Sequence, residues 1–488
     1  MHLVLLNPRA QQSHRRLPLS LLFLARGIPE GITWELRDCN VEPDALEQTM
    51  AAVARSPSET AVLVTVMPGP QLRAAVPWCR ALKARFPETT VVWGGYFPTV
   101  YPAACARDAA VDVVVIGQGE ETIGELVEAL AGGGDPAAVP GCAVWRDGGL
   151  VRGPERRFRA SARFGPAAYE RLDMERYAAP TFLGRRTYNH HASVGCPYVC
   201  NFCAVTTMFG GRWLADPAAD VVGVVRHLAT TYGADAIEFH DNNFFAAEKR
   251  VREVADGIAD LGLRWWGEGR IDTMLGWSDR TWSAMRDSGL TMVFFGAESG
   301  DQEALDAMDK GGLEVEQIRA LNRRARRYDI IPEFSFVLGN PVDPAGDIER
   351  SLELILDLKA ENPRCEIILY LYTPVPLPGM LDEDAAGEFA FPETLDEWLS
   401  PRWYRYEDRR DPGTPWLTPE MVRRVYDFES VLHARWPSVS DRNLAPWQRR
   451  MLRAVGAPRY HLGWYRRPVE LKLLQRLWRY RRPEEMGF

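Results

Sequence analysis

The sequence predicts a mixed α/β protein in three parts. A doubly wound, Rossmann-like unit spans 1–140, a partial (β/α)6 TIM-like barrel spans 186–385, and a mostly helical region spans 386–488, with a linker at 141–185. Three observations predict this. Short, continuously apolar runs alternate twice with helical patterns, as strands of parallel sheets covered on both faces do. An irregular stretch rich in Pro, Gly and Arg separates the two series. Past residue 380 the strand-like runs stop and helical spacing takes over.

In the first series the strands read as residues 2–6, 61–66, 90–93 and 111–116, with helices over 71–85 and 121–130. Several of these strands end in residues that let a backbone approach a ligand: Asn7-Pro8, Met67-Pro68-Gly69, Gly94-Gly95, and Gly117-Gln118-Gly119-Glu120. Ligands of such folds bind at the carboxyl ends of the strands, although each pair alone is an ordinary turn. No Gly-x-Gly-x-x-Gly opens a helix, which disfavours a dinucleotide.

The second series has strands over 236–241, 264–270, 291–298, 333–338 and 366–371, separated by helices such as 216–230, 249–261 and 314–328. Its strand ends carry Glu238, His240, Asp241, Asn242, Glu268, Arg270, Glu298 and Ser299. A lone carboxylate there is usually a cap or a solvated turn. A succession facing one mouth points to a convergent polar site.

Eight cysteines occur, and three of them, Cys196, Cys200 and Cys203, form a CxxxCxxC motif with no fourth nearby. Three thiolates hold three irons of a cubane 4Fe-4S cluster and leave the fourth iron open. A closed structural site would take four protein ligands. The competing reading is Cys3His zinc, because His190 and His191 lie just upstream.

The chain is 46% hydrophobic and 25% charged, as ordinary globular proteins are. No apolar run reaches the roughly 18 residues that span a bilayer. The apolar segment 17–25 is interrupted by Pro18 and Ser20, unlike a signal peptide, so a cytoplasmic location is expected. A net charge of −8 disfavours nucleic acid as a partner. From Asp441 onward, however, 12 Lys and Arg face 4 carboxylates, interleaved with Trp447, Trp464, Trp478 and Tyr480. Thr418-Pro419-Glu420 starts a helix over 421–436. Leu471, Leu474 and Trp478 share one helical face, with Lys472, Arg476 and Arg479 elsewhere. That pattern reads as a helix packed on the barrel with a solvated basic face; peripheral membrane contact through the basic tail is the alternative.

These motifs resemble the radical S-adenosylmethionine (SAM) enzymes that carry an N-terminal cobalamin-binding domain, over residues 1–385. The cysteine motif with Phe202 before its last thiol, Gly296-Ala-Glu-Ser-Gly300 with Lys310 downstream, Gly339-Asn-Pro341 and Pro374-Val-Pro-Leu-Pro-Gly379 carry the resemblance. It implies a 4Fe-4S cluster on Cys196, Cys200 and Cys203, whose open iron chelates SAM, and reductive cleavage to a 5′-deoxyadenosyl radical. It implies SAM contacts from Phe202, Arg270, Glu298 and Ser299, and substrate-facing roles for Asp241 and His240. Cobalamin contacts would come from Asn7, Pro8, Met67, Gly94, Gly95, Gly117, Gly119 and Glu120. Two departures stand out. The Asp-x-His-x-x-Gly loop of classical cobalamin enzymes is absent, since only His2 and His14 precede residue 190, and Val342-Asp343 stands where relatives show Gly-Glu.

The expected function is methyl transfer to an unactivated carbon of a small molecule or peptide, possible apolar character included. An electron donor such as flavodoxin or ferredoxin is implied. Radical oxidative cyclisation or rearrangement with the same cofactors, and a noncatalytic cobalamin or Fe-S sensor, are the alternatives.

Overall fold

The computed structural model describes residues 1–10, 15–375, 389–407 and 412–480. Its first unit is a seven-stranded sheet. The strands β1 (His2–Asn7), β2 (Thr33–Asp38), β3 (Thr60–Thr65), β4 (Thr90–Gly94) and β5 (Val113–Val115) are parallel. Antiparallel β6 (Cys142–Arg146) and β7 (Gly149–Arg152) extend it, giving the order β2-β1-β3-β4-β5-β6-β7. Alternate side chains go to opposite faces, as a strand requires. Leu3, Leu5, Leu63 and Val92 pack with the helices Leu19–Ala25 and Glu120–Gly132. Val4, Leu6, Val64 and Trp93 pack with Ala45–Arg55 and Pro70–Arg85. Both faces are therefore covered, as the doubly wound reading expects. The chain reverses direction across the sheet between β1 and β3, the topological switch point where such folds bind ligands.

The linker expected over 141–185 is a correction: it begins by adding β6 and β7 to the sheet edge. The rest of that stretch runs across both units. Tyr169, Met174 and Tyr177 are buried in the shared core, and the Tyr177 hydroxyl donates to Asp38 at 3.1 Å.

The second unit opens with β8 (Thr187–His190) and the antiparallel pair β9 (Ser193–Gly195) and β10 (Trp213–Ala215). It continues with β11 (Ala236–Phe239), β12 (Arg264–Gly269), β13 (Leu290–Glu298), β14 (Ile331–Leu338) and β15 (Glu366–Leu371). Six strands, β8 and β11 to β15, pair in parallel and in sequence order. Since β8 and β15 form the two edges, the barrel is open. Ile237, Phe239 and Trp265 face the covering helices, while Glu238, His240, Trp266 and Glu268 alternate with them toward the interior. Leu183, Ala236, Trp266, Met292 and Ile331 plug the end where the strands begin.

The C-terminal region divides in two. Phe389, Leu395, Trp398, Trp403 and Tyr406 join the core of the first unit, where Trp398 meets Phe97 and Tyr101 at 5.2 and 4.5 Å. The helices Pro419–Arg435, Pro446–His461 and Val469–Leu477 form a cap on the helix Pro344–Glu361 and β15. Thr418 caps the first of them by accepting from Met421 N at 3.3 Å. No described helix is long and apolar enough to cross a membrane.

Candidate active site

The site begins at a tight turn. Gly195 has φ +78°, and a Cβ there would lie 2.2 Å from the Arg212 carbonyl oxygen, so only glycine lets β10 close on β9 just before Cys196. The loop 196–203 is then held from several sides. The Thr206 hydroxyl donates to the Cys200 carbonyl at 2.9 Å, and Asn201 Nδ2 donates to the Ala307 carbonyl at 2.9 Å. The Tyr198 and Thr273 hydroxyls share a 2.7 Å hydrogen bond, and the Arg270 guanidinium lies 3.7 Å over the Tyr198 ring.

Two N–H donors reach the thiol sulfurs. Arg270 Nη1 donates to Cys200 Sγ at 3.4 Å and Asn243 Nδ2 to Cys196 Sγ at 3.8 Å. Asn243 is 1% exposed, and its Oδ1 is buried without a partner. Donors aimed at sulfur suit thiolates that carry cluster charge. Without iron, burial pushes the Cys196 thiol up and the Cys203 thiol to about 11. The zinc alternative finds no support in this arrangement. His190 is buried against the Tyr169 hydroxyl at 3.2 Å, and His191 lies beside His240, with ring centroids 6.5 Å apart.

Glu298 ends β13 in the left-handed region at φ +62°, a strained place for a non-glycine residue. It forms a buried ion pair with Lys310, whose ammonium lies 5.6 Å from the Phe202 ring. A Cβ on Gly296 would lie 2.1 Å from Glu298 Oε1 and 2.5 Å from Lys310 Nζ. The glycine of the Gly-x-Glu-Ser-Gly element is thus the space into which that pair folds.

Three expected contacts are committed elsewhere. Ser299 is fully buried, donates to Asp347 and accepts from Asp301 N at 2.9 Å, so it ties β13 to the helix Pro344–Glu361 rather than facing SAM. Asp241 is 1% exposed and accepts from Ala192 N at 3.0 and 3.1 Å and from the Ser193 hydroxyl at 2.5 Å. It anchors the approach to the cysteine loop, and burial raises its carboxyl to about 6. Arg270 spends its donors on Asp272, the Lys310 carbonyl and Cys200, which makes it a brace for the cysteine loop.

His240 does point into the barrel. Its Nε2 shares a 3.1 Å hydrogen bond with Glu238 Oε2, and its ring lies 5.1 Å from that of Trp266. Trp266 Nε1 donates to Glu333 Oε2 at 3.3 Å, so the interior residues form one linked cluster with Glu268 on the same face. Withdrawal from solvent pushes both Glu268 and Glu333 up to about 8, aided for Glu268 by Asp241 and for Glu333 by Glu366. Burial also holds His190 and His191 at about 3 and lowers His240, so all three are neutral imidazoles near neutral pH.

The first unit reaches into this mouth. Leu17 N donates to Asn189 Oδ1 at 2.8 Å, Arg16 lies 3.6 Å from Glu238, and Phe23 stands edge-on to both His190 and His191. Asparagine at 243 and arginine at 16 carry no motif, which is why sequence reasoning missed them.

At the carboxyl ends of the first sheet, Asn7 closes a buried network: it donates to Asp38 at 3.0 Å and accepts from Gln71 at 2.8 Å, with Pro8 buried beside it. Met67, by contrast, is 49% exposed. Gly94 ends β4, and Gly95 has φ +98°. Gly117 has φ +79°, and a Cβ there would press on Phe158 at 3.2 Å. Gly119 caps the helix Glu120–Gly132, and Glu120 is bound to Arg26 at 3.1 Å. A cavity of about 440 Å³ lies between the units, lined by Thr99, Gly117 and Phe158 on one side and Thr206, Phe209 and Arg212 on the other. Exposed Met67 fits a surface that receives a large planar cofactor, and Asn7 and Glu120 fit a supporting role, while Gly95, Gly117 and Gly119 let the chain pack closely on Thr65, Phe158 and Leu24. His2 lies at the opposite end of β1, bonded to Thr33 Oγ1 at 2.9 Å, so it supplies no imidazole to that surface. Of the motif at 374–379, residues 376–379 lie outside the described residues.

Comparison with known proteins agrees with this two-unit fold. Residues 15–127 match the B12 binding domain family, and residues 192–355 match the radical SAM superfamily. An uncharacterised methyltransferase of Pyrococcus horikoshii is 28% identical over 320 residues, covering 65% of this chain and 66% of its own. The cytidylyl-2-hydroxyethylphosphonate methyltransferase of Streptomyces wedmorensis is 26% identical over 380 residues, covering 72% of this chain and 70% of its own. The methyltransferase TsrM of Kitasatospora setae, solved with tryptophan and a SAM analogue, superimposes with a TM-score of 0.68 at 18% identity. That match covers 98% of this chain and 99% of TsrM, and at such identity it speaks to the fold.

Proposed function

The chain belongs to the radical SAM enzymes that carry a B12-binding domain, and from that premise we propose that it is a cobalamin-dependent methyltransferase acting on an unactivated carbon of a small molecule or peptide. One observation carries the reading. The first unit's segment 15–26 enters the mouth of the second unit's sheet, and the cavity between the units is lined by Thr99 and Gly117 of the first and by Thr206 and Phe209, just past the cysteine loop, of the second. Methyl transfer between two cofactors and one carbon requires that juxtaposition.

Bound there, the cluster would supply an electron to SAM, and cobalamin a transferable methyl group. The chain's own residues do the rest. Cys196, Cys200 and Cys203 would hold the cluster, steadied by Arg270 and Asn243. Phe202 and the Glu298–Lys310 pair would border the SAM side. His240, Glu238, Trp266 and Glu268 would receive the substrate in the barrel. With its carboxyl raised to about 8, Glu268 is largely protonated at neutral pH, so it can donate a hydrogen bond to a substrate oxygen or nitrogen. Flavodoxin or ferredoxin would deliver the electron.

The test is label transfer. Holoenzyme, a reductant and methyl-deuterated SAM, incubated with a small-molecule extract, should produce a compound carrying the intact deuterated methyl group together with S-adenosylhomocysteine. A product that has lost hydrogen without gaining label would instead identify cyclisation. Absence of SAM turnover would leave only the noncatalytic sensor.

A further inference from the structure

The last three described helices present an apolar surface that no other described residue covers. In the helix Val469–Leu477, Leu471 is fully buried and Gln475 nearly so, against the neighbouring helices. Yet Val469, Leu473 and Leu477, at i, i+4 and i+8 on the opposite side, are 68%, 56% and 66% exposed. The helix therefore has two apolar faces, and folding satisfies one. Trp478, at its end, stacks edge-on against Trp447 at 5.5 Å, which joins this stripe to the next helix. There Trp447 and Met451, one turn apart, are also exposed. More than half of the exposed large apolar side chains among the described residues lie between Trp447 and Leu477.

Charge distinguishes this surface from an aggregation hazard. Helical spacing puts Arg476 on the same stripe as Leu473 and Leu477, and Arg450 beside Trp447 and Met451. Lys472 is spent on Asp427 and Arg466 faces Glu420. Arg450, Arg453, Arg476 and Arg479 are exposed and form no ion pair among the described residues. Glu470 is the one exposed carboxylate between residues 442 and 480, and it is bound to Arg459. A chain of net charge −8 thus concentrates unpaired cations and uncovered apolar groups in one place.

We propose that this surface seats the enzyme on an anionic lipid bilayer, with the Val469, Leu473 and Leu477 stripe and Trp447 in the headgroup boundary and the arginines on lipid phosphates. Arginine interleaved with Leu and Trp on one face is the composition of interfacial helices. A second copy of the chain is a poorer occupant, because a two-fold contact would bring these arginines against themselves. Nucleic acid would leave the aliphatic stripe without a partner. Each arginine near an anionic surface is worth about a fivefold gain in partitioning, which ionic strength weakens.

Flotation of the anaerobically prepared full chain tests this, with vesicles of phosphatidylcholine alone and of phosphatidylcholine mixed with phosphatidylglycerol. The expected result is strong flotation with the mixed vesicles, reduced by high salt. Leu473→Glu with Leu477→Glu should reduce it at least tenfold. Arg476→Glu with Arg479→Glu should abolish the preference for anionic lipid. Both pairs are exposed, so melting temperatures should be unchanged. Wild-type protein that does not float would overturn the proposal, as would a glutamate pair that floats unchanged. Sedimentation showing a wild-type dimer that the glutamate pair converts to monomer, without vesicle binding, would assign the surface to self-association instead.

Discussion

Asn243 is buried on a loop after β11 with one amide hydrogen directed at Cys196 and its oxygen unpartnered. An N–H donor stabilises the more negative, reduced state of a cluster and so raises its potential. Replacing Asn243 by Leu keeps the volume and removes the donor. The midpoint potential of the reconstituted cluster, read by a spectroscopic titration, should fall by on the order of tens of millivolts. An unchanged potential would show that Asn243 only fills space. Glu333 offers a prediction in the cofactor-free protein. It is 2% exposed, and burial beside Glu366 raises its carboxyl to about 8, above the unfolded value near 4.5. The folded state therefore keeps a proton that the unfolded state releases, and stability falls as pH rises from about 5 to about 8. Glu333→Gln should melt with wild type at pH 5 and a few degrees higher at pH 8.5, a gain of roughly 1–3 kcal/mol. Equal melting at both pH values would place the charge elsewhere. At this scale the sequence was legible where spacing carries chemistry. The three cysteines share one loop after β9, Gly296 leaves the space into which Glu298 and Lys310 fold, and His240 bonds Glu238 at the end of β11. Asp241 and Ser299 hydrogen-bond to the scaffold, which spacing does not announce, because a strand-end residue can turn into the cavity or back, and one residue of register decides which.

Elements built from uniformly apolar residues were readable, because strands covered on both faces have a continuous run and no other explanation. That holds for β1, β3, β4 and β5. The missed strands have other patterns. In β2, Thr33-Trp-Glu-Leu-Arg-Asp38 mixes polar and apolar residues because it is an edge strand with a half-exposed face. In β8, Thr-Tyr-Asn-His looks like a loop, yet all four residues are buried, and Asn189 is satisfied by the Leu17 backbone rather than by solvent. Strands β6 and β7 form a hairpin around Asp147-Gly148, a local turn signal that the reading of this stretch as a linker passed over, and β6 joins the hairpin to β5. Likewise, nothing near residue 398 says that its tryptophan will pack on Phe97 and Tyr101, about three hundred positions earlier.

Across the whole molecule, two α/β units that each expose the carboxyl ends of their strands are turned toward one another. Segment 15–26 of the first, through Arg16, Leu17 and Phe23, forms part of the rim of the second. The C-terminal region clasps both, one stretch on each. The central claim is that this frame holds an iron–sulfur cluster on three cysteines and a corrinoid opposite it in one chain. Anaerobic reconstitution followed by iron, sulfide, zinc and corrinoid quantification tests it most directly. The account predicts about four iron and four sulfide with one corrinoid per chain, the iron lost and the corrinoid kept when Cys196, Cys200 and Cys203 are replaced by Ala. One zinc and no corrinoid per chain would contradict it.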